Sequence, residues 1–156
     1  GEGGGGSAAA RTGFPRGIGG LVLSGGTDWT TRLWAPGIKD TPLLTIVEPD
    51  YDYMCAVEWS PAHPTLFASA SCGGKISLWN LAASLDEPLT GTDGLTLAGR
   101  TRPPNRLQWS GDGRRLGAAS GGLAYVLGVA EEAARPRPEE EGRMVHRLSS
   151  RGFTNQ

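Results

Sequence analysis

Residues 51–81 constrain this chain most: YDYMCAVEWSPAHPTLFASASCGGKISLWNL. Three short apolar runs are divided by two turn signals, Ser60-Pro61-Ala62-His63-Pro64 and Cys72-Gly73-Gly74. Each run has the length of a strand and is rich in β-branched or aromatic residues. In the first, Cys55, Val57 and Trp59 share one face at period two, and Ala56 and Glu58 share the other. In the last, Ile76 and Leu78 alternate with Lys75, Ser77 and Trp79. Successive side chains of a strand point to opposite faces, so the pattern gives each run one buried side. Three antiparallel strands in sequence make a meander. A lone meander has two raw edges and too little core, so it must stack on others like it.

Others like it are present. Leu33-Trp34 recurs as Leu78-Trp79, 45 residues on, and Ser24 aligns with Ser69. Leu107, Trp109 and Ser110 repeat Val57, Trp59 and Ser60 at a spacing of 50, and Leu116 and Ala118 repeat Leu66 and Ala68. A period of 40–45 residues with a meander ending in a small-apolar-Trp run is the mark of a β-propeller blade. The predicted fold is therefore all-β: a partial propeller of about two and a half four-stranded blades over residues 21–130. Residues 42–47 and 95–98 are predicted as outer strands. The connection from 82 to 105 is long and rich in Gly, Pro, Thr and Asp, and is expected to be mobile.

Asp28 falls in the tight turn before a third strand, where a carboxylate fixes the turn by accepting local hydrogen bonds; its role is read as structural. Trp29 beside it is a bulky indole in a turn, a place that tends to leave it exposed. Glu48, Asp50 and Asp52 interleave with Tyr51 and Tyr53. A solvated rim loop is the plain reading of that cluster; a contact surface is the functional one, because propellers bind partners through such loops. Arg114 and Arg115 read as a solvated turn rather than a basic contact pair.

Glycines crowd into residues 1–26, and residues 1–20 are expected to be a flexible linker, since such composition cannot offset the entropy of ordering. A phosphate-binding loop there would need a strand before it, a helix after it and a placed Lys, and none is present. Residues 131–156 carry an acidic block and then a basic one and read as a charged tail. Within it, Met144, Val145 and Leu148 are spaced for a short helix over residues 139–148, and Pro136 and Pro138 set it apart; a tail is the default reading and a docking helix the alternative. A net charge of −1 implies no general affinity for nucleic acid or anionic lipid. No apolar run approaches the roughly 20 residues of a membrane helix. Cys55 and Cys72 read as buried free thiols in a reducing compartment rather than a disulfide. With two His in no ligand spacing, they make no metal site, and no cofactor is implied. His63 and His146 belong to no nucleophile–base–orienter set, which argues against an enzyme. The start carries no secretory signal pattern and begins with Gly rather than Met, so a fragment of a longer protein is expected.

Four segments, from residue 21 to about residue 129, together resemble the C-terminal WD-repeat region of dynein intermediate chains, most closely the cytoplasmic type. They are Asp28-Trp29-Thr30 with Arg32-Leu33-Trp34; Trp59-Ser60-Pro61 with His63-Pro64 and Leu66-Phe67-Ala68; Leu78-Trp79-Asn80-Leu81; and Asn105-Arg106-Leu107 with Trp109 and Gly113-Arg114. The pattern departs from ordinary blades in three ways. No Gly-His precedes the inner strands, Gly73 and Gly121 stand where a turn Asp is usual, and the first blades are missing.

The resemblance implies a non-catalytic, cytoplasmic, microtubule-associated subunit whose propeller docks on the dynein heavy chain. Light chains and dynactin would bind a region outside this chain. Trp29, Tyr51 and Tyr53 are the candidate partner-binding residues at the blade rims. The alternatives are a ciliary dynein intermediate chain and a WD-repeat scaffold unrelated to dynein.

Overall fold

A computed structural model describes residues 8–11, 17–99 and 102–153. The chain forms three antiparallel sheets in succession. The first contains β1 (Ala8–Arg11), β2 (Val22–Gly25), β3 (Thr30–Trp34) and β4 (Leu44–Val47), paired in that order. The second is β5 (Met54–Trp59), β6 (Leu66–Ser71), β7 (Lys75–Asn80) and β8 (Leu95–Thr96). The third has three strands, β9 (Arg106–Trp109), β10 (Arg115–Ser120) and β11 (Leu123–Gly128). Two short helices follow, α1 (Glu131–Ala134) and α2 (Glu140–Ser149). The first strand of each sheet lies beside its counterpart, β1 against β5 and β5 against β9. Sheets arranged side by side along their first strands are propeller blades, and this is a partial all-β propeller.

The middle blade departs from the one-sided burial expected of its strands. All six residues of β6 are buried. Ala56 packs toward the third blade, while Val57 and Trp59 pack toward the first. A blade with a neighbour on each side is covered on both faces, so strict apolar alternation is not required of it. The face toward the first blade carries a cross-strand aromatic row. Trp59 meets Phe67 edge-on at 5.6 Å, and Phe67 stacks on Trp79 at 6.0 Å. The register, Trp59↔Phe67 and Phe67↔Trp79, brings these rings together. The other face is lined by small and aliphatic side chains, Ala56, Ala68, Ala70 and Ile76, against Leu107, Leu116 and Ala118. Trp109 bridges the two blades by donating its indole N–H to the Glu58 carbonyl at 3.1 Å.

Three expectations for the flanks and connections need correction. Within the segment read as a linker, Ala8–Arg11 pairs antiparallel with β2, Gly17–Gly20 forms a 3₁₀ turn, and Ile18 is fully buried in the core. Backbone pairing to a sheet edge asks nothing of side-chain size, which is how a Gly/Ala-rich stretch becomes a strand. The connection from 82 to 105 is anchored rather than loose. Leu85 and Leu97 are buried, and the Leu89 and Leu97 amides donate to the Leu78 and Gly74 carbonyls. The default reading of residues 131–156 as a charged tail gives way to its alternative, a docking helix: α2 is part of the core. Met144 and Leu148 lie one turn apart on α2 and, with Phe153, pack among Leu21, Leu33, Leu81 and Ala82.

Candidate interaction surface

Two turns meet where the first blade hands over to the second. The β2–β3 turn carries Asp28 and Trp29, and the segment after β4 carries Glu48 through Tyr53. The Glu48 amide donates to the Trp29 carbonyl at 2.7 Å, and the Tyr51 amide donates to the Glu48 carbonyl at 3.0 Å. Trp29 and Tyr51 are the two non-glycine residues with positive φ among the described residues, at 67° and 52°. That region is costly for a side chain bearing a Cβ. Their rings touch edge to face, centroids 5.4 Å apart and planes at 82°. Both residues are exposed, Trp29 at 42% and Tyr51 at 67%, and Tyr53 joins them at 51%. The structure thus gathers Trp29 and Tyr51 into one patch, with Tyr53 on the same loop.

The carboxylates beneath do different work. Asp28 accepts from the Thr30 hydroxyl at 2.7 Å and pairs with Arg32 at 2.8 Å. The Thr30 hydrogen bond, with help from Arg32, holds the Asp28 carboxyl below its ordinary value. Trp34 at the end of β3 donates its indole N–H to the Ser24 hydroxyl at 2.9 Å, a side-chain tie between β2 and β3 of the first blade. Glu48 is not a solvated rim residue. It is buried and paired with Lys75, itself buried, which also reaches Asp50 and the Thr92 carbonyl at 3.0 Å each. Burial pulls the Lys75 ammonium down, but the hydrogen bonds to Glu48 and Asp50 outweigh it and raise the group above the ordinary lysine value. Asp52 accepts from the Gly73 amide and so supplies, from the neighbouring loop, the carboxylate that the Cys72-Gly73-Gly74 turn lacks. The Cys72 amide donates to the Tyr53 carbonyl at 2.8 Å.

Cys55 and Cys72 are joined as a disulfide, Cα atoms 5.7 Å apart, and not free thiols as the sequence reading has it. A bulge between Met54 and Ala56 brings Cys55 alongside the end of β6, a juxtaposition that residue spacing does not reveal.

Lys75 and His63 escaped notice in the sequence as structural centres. Lys75 alternates with Ile76 in a strand, so a paired charge at a blade junction was its only signal. His63 is buried, 3.2 Å from the Glu140 carboxylate, and Glu140 also accepts from Asn80 at 2.6 Å. Arg114 stays exposed, 3.5 Å from Glu131. Among the described residues, no cluster of three or more His, Cys, Asp or Glu side chains is placed to hold a metal ion. No described helix is long and apolar enough to cross a membrane.

No family model matches the chain. Over 134 residues, 85% of the chain, it is 38% identical to the cytoplasmic dynein 1 intermediate chain of Drosophila melanogaster. The chain is homologous to cytoplasmic dynein intermediate chains. A second relative, cytoplasmic dynein 2 intermediate chain 2 of Homo sapiens, is 38% identical over 68 residues, 44% of the chain. The chain spans 19% of the length of the first relative and 12% of the second. Cytoplasmic dynein intermediate-chain homology and three antiparallel sheets accord with the partial propeller expected of the repeats.

Proposed function

We propose that this chain is the WD-repeat part of a non-catalytic intermediate-chain subunit of a dynein motor complex. The observation that carries this reading is the 38% identity to a cytoplasmic dynein intermediate chain across 85% of the chain. In this role the propeller is a rigid platform that docks on the dynein heavy chain and supports microtubule-based transport in the cytoplasm. Light chains and dynactin engage a part of the protein outside these residues. Trp29, Tyr51 and Tyr53 form the docking surface. Two exposed aromatic rings held in costly backbone conformations are poor choices for stability alone, and such residues concentrate at binding sites.

The test is a pull-down from native lysate with tagged full-length protein, followed by mass spectrometry. Recovery of a dynein heavy chain with light chains is expected. Recovery of unrelated partners without any motor subunit would reduce the likeness to shared blade architecture. The dynein 2 match supports a second reading, membership of that motor's complex, and the type of heavy chain retained decides between the two.

A further inference from the structure

We propose that Cys55 and Cys72 form a reversible thiol–disulfide site that sets the rigidity of the loop presenting Tyr51 and Tyr53. This goes beyond the docking role and does not depend on it. The bridge ties β5 to the turn that follows β6, beside a strand pair that needs no staple. From Ala56↔Ala70 to Trp59↔Phe67 the β5–β6 ladder is already paired. Neither cysteine belongs to either apolar cluster of the core. Cys55 sits at the bulge and Cys72 just past the end of β6, so opening the bond leaves the ladder intact. What it releases is one end of a loop. Two other ties hold that end, the Cys72 amide to the Tyr53 carbonyl at 2.8 Å and the Gly73 amide to the Asp52 carboxylate, and both involve the cysteine turn.

The site is also reachable. Both cysteines are half-buried and line an open cleft of about 970 Å³ with Tyr53, Arg102 and Asn105. The reactant is a small-molecule disulfide of the glutathione type. One cysteine thiolate attacks it, forms a mixed disulfide and releases one glutathione thiolate. The second cysteine thiolate then displaces the other. The cysteine pair loses two electrons and the glutathione disulfide gains them.

The experiment uses the full chain. Dithiothreitol is applied under native conditions, thiols are counted by alkylation and mass shift, and glutathione disulfide is then added. Amide hydrogen exchange is followed at Cys72 and Gly73, with Ser77 and Leu78 in β7 as controls. Two thiols are expected after reduction and none after reoxidation. Exchange at Cys72 and Gly73 should rise at least tenfold on reduction, with the β7 controls unchanged. The double substitution C55S/C72S should show the fast exchange with no reagent present. A bond that yields only in denaturant, unfolding of the whole chain on reduction, or unchanged exchange after opening would each overturn the proposal.

Discussion

The Glu140 carboxylate lies 3.2 Å from His63 Nε2 and ties helix α2 to the turn between β5 and β6. The Thr65 amide donates to His63 Nδ1 at 3.3 Å, which leaves the proton of the neutral ring on Nε2, facing Glu140. Burial holds the His63 pKa below its ordinary 6.5, although Glu140 works in the opposite direction. The folded state therefore keeps the ring neutral while the unfolded state protonates. Stability is full above pH 6.5 and falls as the pH drops through the lowered folded value. Urea midpoints measured between pH 7.5 and pH 5 should decrease, and His63→Gln should flatten that slope. An equal slope in the variant would show that another group is responsible.

Glu140 also accepts from Asn80 and from the Arg137 amide. Its removal strands the buried His63 ring N–H and the part-buried donors of Asn80 and Arg137, so Glu140→Ala should cost about 2 kcal/mol in chemical denaturation. A midpoint unchanged from the parent would mean that these bonds do not hold the helix in solution.

Lys75 bridges the blades through Glu48 and Asp50. Lys75→Met leaves the Glu48 carboxylate buried without its partner and should destabilise by about 3 kcal/mol. Adding Glu48→Gln should recover part of the loss. Because the Lys75 pKa is raised, its contribution is present below the ordinary 10.5 and is lost as the pH rises through the folded value. Melting temperature should fall more steeply above pH 10.5 in the parent than in Lys75→Met.

Leu148 is fully buried between α2 and the first two blades. Leu148→Ala should cost about 3 kcal/mol, the scale of a core leucine truncation. A loss typical of a surface position, below about 0.5 kcal/mol, would show that the helix is not docked.

At Tyr51, with φ at 52°, a glycine should be tolerated better than an alanine. Tyr51→Gly is expected to be more stable than Tyr51→Ala by about 1 kcal/mol, although both delete the same ring. Both variants, and Trp29→Ala, should weaken retention of the heavy chain in pull-downs. Wild-type retention by all three would remove this patch from the docking surface.

Strand positions, turn residues and the repeat of 45–50 residues were legible in the chain because each is local. Period-two alternation, Gly and Pro punctuation and recurring Leu-Trp pairs report on a few neighbouring residues at a time. The edge at residues 8–11 was hidden because main-chain pairing leaves no mark on side-chain composition. Asp28, Trp29, Tyr51 and Tyr53 could be chosen from their place in turns. That Trp29 touches Tyr51, and that Glu48 turns inward to Lys75, depended on how one blade seats against the next. The same holds for Cys55 beside Cys72, across a bulge, and for Glu140 against His63, 77 residues earlier. The strands follow from backbone geometry and local polarity. The ion pairs, the disulfide and the docked helix follow from distances between remote segments, which exist only once the blades have packed.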